Sequence, residues 1–125
     1  MLENMKMLSA LGALMKNKDK LKEAGEKVRA QMAATRVTGE AGAGAARAVV
    51  SGEMRVLSVE LAPGLILGMN ADERTRQRAG GLIAEAVNNG LAQAQRKLKE
   101  AMDAQAKELG LEGMLPEMGS LLGGA

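Results

Sequence analysis

Apolar positions recur with two different periods along this chain, and the switches between them divide it. From residue 2 to about 34 they fall at Leu14, Leu21, Ala24, Val28 and Met32, spaced seven, three, four and four apart. That is the narrow stripe one helix shows another. No proline interrupts the stretch, and only Gly12 and Gly25 weaken it. Near residue 36 the period falls to two. Three short strands are expected, at Arg36 to Glu40, Ala45 to Ser51 and Met54 to Leu61. In the second, Ala46, Ala48 and Val50 alternate with Arg47, Val49 and Ser51; in the third, Leu57, Val59 and Leu61 share a face. Ser51-Gly52-Glu53 reads as a turn, and Pro63-Gly64 ends the third strand.

The helical period returns after Asn70. Asn70-Ala71-Asp72-Glu73 has the form of a helix start, with Asn70 as cap and Glu73 placed to reach back. This helix is expected to run to about Leu109, stopped by Gly110. Its stripe is Ile83, Val87, Leu91, Ala94, Leu98, Ala101 or Met102, and Leu109. Gly80, Gly81 and Gly90 each cost about 1 kcal/mol relative to alanine, so close packing against the sheet or a partner is expected to compensate. Residues 111–125, rich in Gly and Met and holding Pro116, are expected to form a disordered tail. Residues 1–110 then make one α+β domain: a long N-terminal helix, a three-stranded antiparallel sheet and a long C-terminal helix.

Lengths add a quaternary expectation. Seven-residue strands span roughly 23 Å, whereas a helix from 71 to 109 spans roughly 58 Å. The helices overhang the sheet by more than half their length. Their stripes continue into the overhang through Leu98 and Met102 in one and toward Leu8 and Leu11 in the other. An exposed apolar stripe marks an interface, so a symmetric homodimer with projecting helical arms is expected. The competing arrangement pairs the two helices within one chain.

The glycine-dense run Val37 to Gly44, V-T-G-E-A-G-A-G, raises the question of a phosphate loop. Such a loop needs a helix N-terminus after it to hold the anion. This run lies between two strands, and its G-x-x-G-x-G spacing matches neither the dinucleotide fingerprint nor a Walker loop. It reads as a hairpin turn in which glycine supplies positive φ.

Composition narrows the chemistry. The 125 residues suit one domain. There is no Cys, His, Phe, Tyr or Trp, so the commonest general base and the best nucleophile are missing and no enzyme is expected. No cofactor, metal or small-molecule substrate is expected either. No apolar run approaches the length of a membrane span, and Glu3, Lys6 and Lys16 interrupt any signal-peptide pattern, which fits a cytoplasmic protein. Net charge is +2, but residues 1–36 carry +4, residues 37–70 carry −1, residues 71–109 carry +1 and residues 110–125 carry −2. Positive charge gathers at the N-terminal end.

The middle of the chain resembles the YbaB/EbfC family of bacterial nucleoid-associated proteins. The resemblance is carried by V-T-G-E-A-G-A-G at Val37 to Gly44, A-A-R-A-V-V-S-G at Ala45 to Gly52, and V-E-L-A-P at Val59 to Pro63. Arg47 occupies the family's basic position. Ser51 stands where the family usually has Asn, and Ala62 where it usually has Asp before the proline. The resemblance implies a homodimer with a shared sheet and helical arms, binding duplex DNA in the nucleoid with low sequence specificity and without enzymatic activity.

Phosphate neutralisation needs Lys and Arg on one accessible surface. The first helix offers Lys16, Lys18, Lys20, Lys22, Lys27 and Arg29. Lys16 and Lys20, like Lys18 and Lys22, are four apart and repel on an isolated helix, a strain a polyanion would relieve. Arg74, Arg76 and Arg78 form a second cluster, and Arg96, Lys97 and Lys99 a third. The absence of aromatics removes the base-stacking platforms of single-strand and RNA readers. The alternative is a solvated Lys face on a scaffold whose arms grip a partner protein. A membrane-surface helix, from apolar residues 5–15 and the Lys cluster, is a third reading.

Overall fold

Alternating burial builds the sheet, as the period of two requires. The computed structural model describes Leu8, Leu11, Gly12 and residues 18–110. Its elements are α1 (Lys18–Ala34), β1 (Arg36–Ala41), β2 (Ala46–Ser51), β3 (Val56–Leu61), α2 (Pro63–Ala71) and α3 (Glu73–Glu108). The strands form one antiparallel sheet in the order β1-β2-β3, so β1 and β3 are its edges. Val37 and Ala41 of β1 and Ala46, Ala48 and Val50 of β2 are buried, while Arg36, Thr38, Glu40 and Arg47 face out. The described helix ahead of the sheet starts at Lys18; the expected segment before it, Leu8, Leu11 and Gly12 apart, lies outside the described residues, as does the expected tail 111–125.

The hairpin between β1 and β2 settles the role of the glycine run. Gly42, Ala43 and Gly44 have φ of 62°, 55° and 87°, and the Ala45 N–H donates to the Gly42 carbonyl at 3.2 Å. Two of the three left-handed positions are glycine, where no Cβ opposes that conformation. Gly39 does something else. A Cβ there would run into the Ala86 carbonyl and the Gly90 amide of α3, and would sit 2.8 Å from the Gly90 Cα. On the helix side, a Cβ at Gly90 would sit 2.7 Å from Val50 Cγ2. The two glycines let helix and sheet meet backbone to backbone. Packing thus compensates the helix glycine at Gly90, whereas a Cβ at Gly80 or Gly81 would meet nothing within 4 Å among the described residues.

Small side chains continue that close approach. The deepest positions of α3 are Ala79, Ala86 and Ala94, each fully buried, with Leu82, Val87 and Leu91 half-buried beside them. The core is therefore valine and alanine under a ring of larger residues.

The β2–β3 turn uses Ser51, a buried residue whose Oγ accepts from the Glu53 and Arg55 N–H groups, each at 3.3 Å. The serine hydroxyl thus performs the turn-bonding that asparagine side chains perform elsewhere. Met54 adopts φ 65° there, so β3 begins at Val56 rather than at Met54.

Two corrections concern the chain after β3. Residues Pro63–Ala71 form the helix α2, which was not expected. Pro63 occupies its first turn, where a missing N–H is harmless, so this proline starts a helix as well as ending a strand. Asn70 is consequently inside α2 and does not cap α3. The cap is Asp72, whose Oδ1 accepts from the Thr75 N–H at 2.7 Å. Asp72 also ends α2, its own N–H donating to the Gly68 carbonyl at 3.3 Å. The hydrogen bond from the Thr75 backbone, and then that from its side chain, hold the Asp72 carboxyl below its ordinary 3.8. The charged cap is favoured in the folded state, so it is intact at neutral pH and is lost only as pH falls below 3.8 through the lowered value.

The described residues fall into two compact units. One is Ala30–Ala101, which holds the sheet, α2 and most of α3; the other gathers described residues up to Arg29 with those from Met102 onward. In the second unit Ala24 and Ala106 are buried within a single chain. The overhang of α3, 36 residues against strands of six, therefore does not by itself call for a second copy. In that same unit Leu8 and Leu11, the residues toward which the N-terminal stripe continues, are 68% and 51% exposed, and further open apolar surface lies in the first unit. Val56, Leu57 and Val59 of β3 are 44%, 48% and 41% exposed, and Ile66 and Leu67 of α2 are 52% and 73% exposed.

The N-cap of α2 is Ala62, at φ −63° and ψ 144° with no side-chain bond. That extended conformation suits a capping carboxylate. Ala62→Asp is expected to raise unfolding free energy by about 0.5–2 kcal/mol, read as a higher midpoint in urea denaturation.

Candidate nucleic-acid interface

The α1 cations stand on two flanks. Leu21, Ala24, Val28 and Met32 form the inward stripe, half-buried or buried. At about 100° per residue, Lys18, Lys22 and Arg29 fall along one side of that stripe, and Lys20 and Lys27 along the other. Asp19, Glu23 and Glu26 take the side remote from it. All five cations are exposed, and no ion pair among the described residues involves them. Lys16 lies outside the described residues.

The second and third clusters are regrouped by the helix. Arg74 and Arg78 share a face of α3, and the same face returns at Arg96 and Lys99, about 100° being turned at each step. All four are exposed, opposite the line of Ala79, Ala86 and Ala94. The row spans about 38 Å at 1.5 Å per residue. Gly81, Asn88, Asn89 and Ala92 lie between its ends, with one acid, Glu85. Arg76 and Lys97 fall elsewhere. Arg76 Nη1 donates to the Met69 carbonyl at 3.2 Å and braces α2 against α3. Lys97 pairs with Glu100 at 3.7 Å.

Between the row and the core line, α3 meets the edge of β1. Asn89 Nδ2 donates to the Glu40 carbonyl and Gln93 Nε2 to the Thr38 carbonyl, each at 2.9 Å. Thr38, Glu40, Asn89, Ala92, Gln93 and Arg96 line a shallow open groove of about 420 Å³ there. Arg47 is not a free cation. Its Nε lies 3.0 Å from Glu40 Oε1, and register places Glu60 opposite it on β3. It links strands across the outer face of the sheet, a cross-strand pairing of opposite charges.

Among the described residues no cluster of His, Cys, Asp or Glu could hold a metal ion, and no helix is long and apolar enough to cross a membrane. Asn89 and Gln93 escaped attention in the sequence because side-chain amides on an exposed helix face carry no pattern of their own. Gly39 could have pointed to them, since an isolated glycine inside an alternating strand signals a close backbone approach.

The sequence model of the YbaB/EbfC DNA-binding family matches residues 5–109. The match covers α1, the sheet, α2 and α3 together.

The three arginines near the start of α3 are expected to separate by role. Arg76→Ala removes a brace and should lower unfolding free energy by about 1 kcal/mol. Arg74→Ala and Arg78→Ala should stay within about 0.5 kcal/mol of the parent. Thermal or urea unfolding of the three single variants makes the comparison.

Proposed function

Since the chain belongs to the YbaB/EbfC DNA-binding family, we propose that it is a nucleoid-associated protein of the cytoplasm that holds duplex DNA by its phosphate backbone. The observation that carries the reading is the exposed row Arg74, Arg78, Arg96 and Lys99 along one side of α3, with no ion pair among the described residues. Its span of about 38 Å is close to one turn of B-DNA, roughly 34 Å. Cations at its two ends can therefore meet phosphates on the same side of a duplex. The flanks of α1, with Lys18, Lys22 and Arg29 on one and Lys20 and Lys27 on the other, add a second cationic surface, and Lys16 extends the same run in sequence.

Low sequence specificity follows from the kind of contact. Phosphates position a protein on DNA and carry no sequence information directly. Lys and Arg supply most of the positive face, and the chain has no aromatic side chain to stack on a base. Arg47 and Lys97 contribute less than their charge implies, because each already has a carboxylate partner. Arg76 contributes by keeping α2 and α3 in place.

The working unit is a homodimer joined at β3. That strand has a free edge, and its core-side residues, Val59 among them, are not covered by α3. A second copy pairing antiparallel along β3 would satisfy the edge and cover the apolar residues of β3 and α2 together. An identical strand is complementary to itself in this arrangement, which closes the pair by two-fold symmetry. Each cationic row is then present twice.

Salt dependence tests the DNA contact. If a dimer neutralises about six phosphates, log K should fall with log salt with a slope of about −5. Replacing Lys16, Lys18, Lys20 and Lys22 with Glu is expected to abolish the gel shift without changing molar mass; unchanged affinity would remove α1 from the interface and leave the α3 row. Binding of a protein partner through an apolar groove would instead survive high salt.

The dimer has its own test. Light scattering is expected to give two chain masses for the parent and one for Leu57→Lys with Val59→Lys. A parent of one chain mass would refute the β3 pairing.

A further inference from the structure

The sheet has two edges, and they are not equivalent. At β3 no further strand pairs among the described residues, and Val56 to Glu60 are all exposed. At β1 the outward carbonyls of Thr38 and Glu40 are already taken by the side chains of Gln93 and Asn89, at 2.9 Å each. Those two carbonyls are alternate residues of a six-residue strand. They are the acceptors that an added strand would need, because an antiparallel neighbour bonds to every second residue of the edge. The amides come from positions four apart on α3, so they lie one turn above each other and match the two-residue repeat of the strand.

Edge strands left open are templates for pairing with further chains, and covering them is a common protection. We propose that Asn89 and Gln93 close the β1 edge against strand addition, so that assembly through the sheet proceeds only from β3 and stops at two chains. The occupant excluded is a second copy of this chain. The inference rests on the homodimer reading for its stopping point, and on the two side-chain bonds for the closure itself.

The closure also explains a cost in the sequence. Asn is a poor helix former, and its short side chain reaches a strand only where helix and strand lie close. Gly39 and Gly90 create that proximity next to Asn89. Removing the amides therefore opens the edge without disturbing the packing, and alanine at both positions favours the helix.

The experiment compares four proteins by light scattering across a concentration series: the parent, Asn89→Ala with Gln93→Ala, Leu57→Lys with Val59→Lys, and all four substitutions combined. Circular dichroism checks that each is folded. The expected result is two chain masses for the parent, a series of larger species growing with concentration for the Asn89/Gln93 variant, one for the β3 variant, and two again for the combination, now joined at β1. An Asn89/Gln93 variant that keeps the parent mass at every concentration overturns the closure while leaving the dimer standing. If the parent has one chain mass, the dimer reading has failed separately. The closure is then supported if the Asn89/Gln93 variant associates and overturned if it does not.

Discussion

The contact between Gly39 and Gly90 governs the geometry of the sheet unit. Backbone meets backbone there because neither residue carries a Cβ. A helix held at ordinary side-chain distance could not bury Ala86 and Ala94 against Val37, Ala48 and Val50. Nor could Asn89 and Gln93 reach the carbonyls of β1. The same contact fixes which side of α3 faces the sheet, and so which side is left to solvent. The arginines and the lysine of the exposed row stand on that side as a consequence. A core of alanine and valine follows naturally from an approach this close, since larger side chains would hold the layers apart.

The charged residues divide by what they touch. Arg76 grips a backbone carbonyl and Arg47 a carboxylate across the sheet. Their charge is spent within the fold. Surface cations without partners add little to stability, and surface pairs scarcely more. In the proposed function the unpaired cations on one side of α3 would instead act on an external polyanion, by displacing its counterions. Low net charge is compatible with that role because the field felt by DNA is local. The charge of distant acids is screened over about 10 Å at moderate ionic strength.

Much of the fold was legible in the sequence. The change of period at residue 36 marks the strands, and a strand on either side of Val37-to-Gly44 marks a hairpin and not an anion cradle. Less of the rest was visible, for physical reasons. Pro63 signals both the end of a strand and the first turn of a helix, and only the second sense reveals α2. With α2 hidden, the capping role passed to Asn70 instead of Asp72. The alternation in β3 set Val56 apart from Val59 and Leu61, but a register shift between Val49 and Val50 brings Val56 opposite the buried Val50, and periodicity names a face without saying what lies against it. Arginines adjacent in sequence were grouped together, although Arg76 turns away from Arg74 and Arg78 while Arg96 and Lys99, far along the chain, come back into line with them.

Asp72 is the whole of the joint between α2 and α3. One extended residue, at φ −153° and ψ 156°, terminates one helix and starts the next. With both helices hydrogen-bonded to it, there is almost no slack in the connection. The two helices consequently follow one another without a loop between them. In the proposed dimer, a partner seated on the exposed Ile66 and Leu67 of α2 would therefore sit close in sequence to Arg74 and Arg78, two and six residues past that joint.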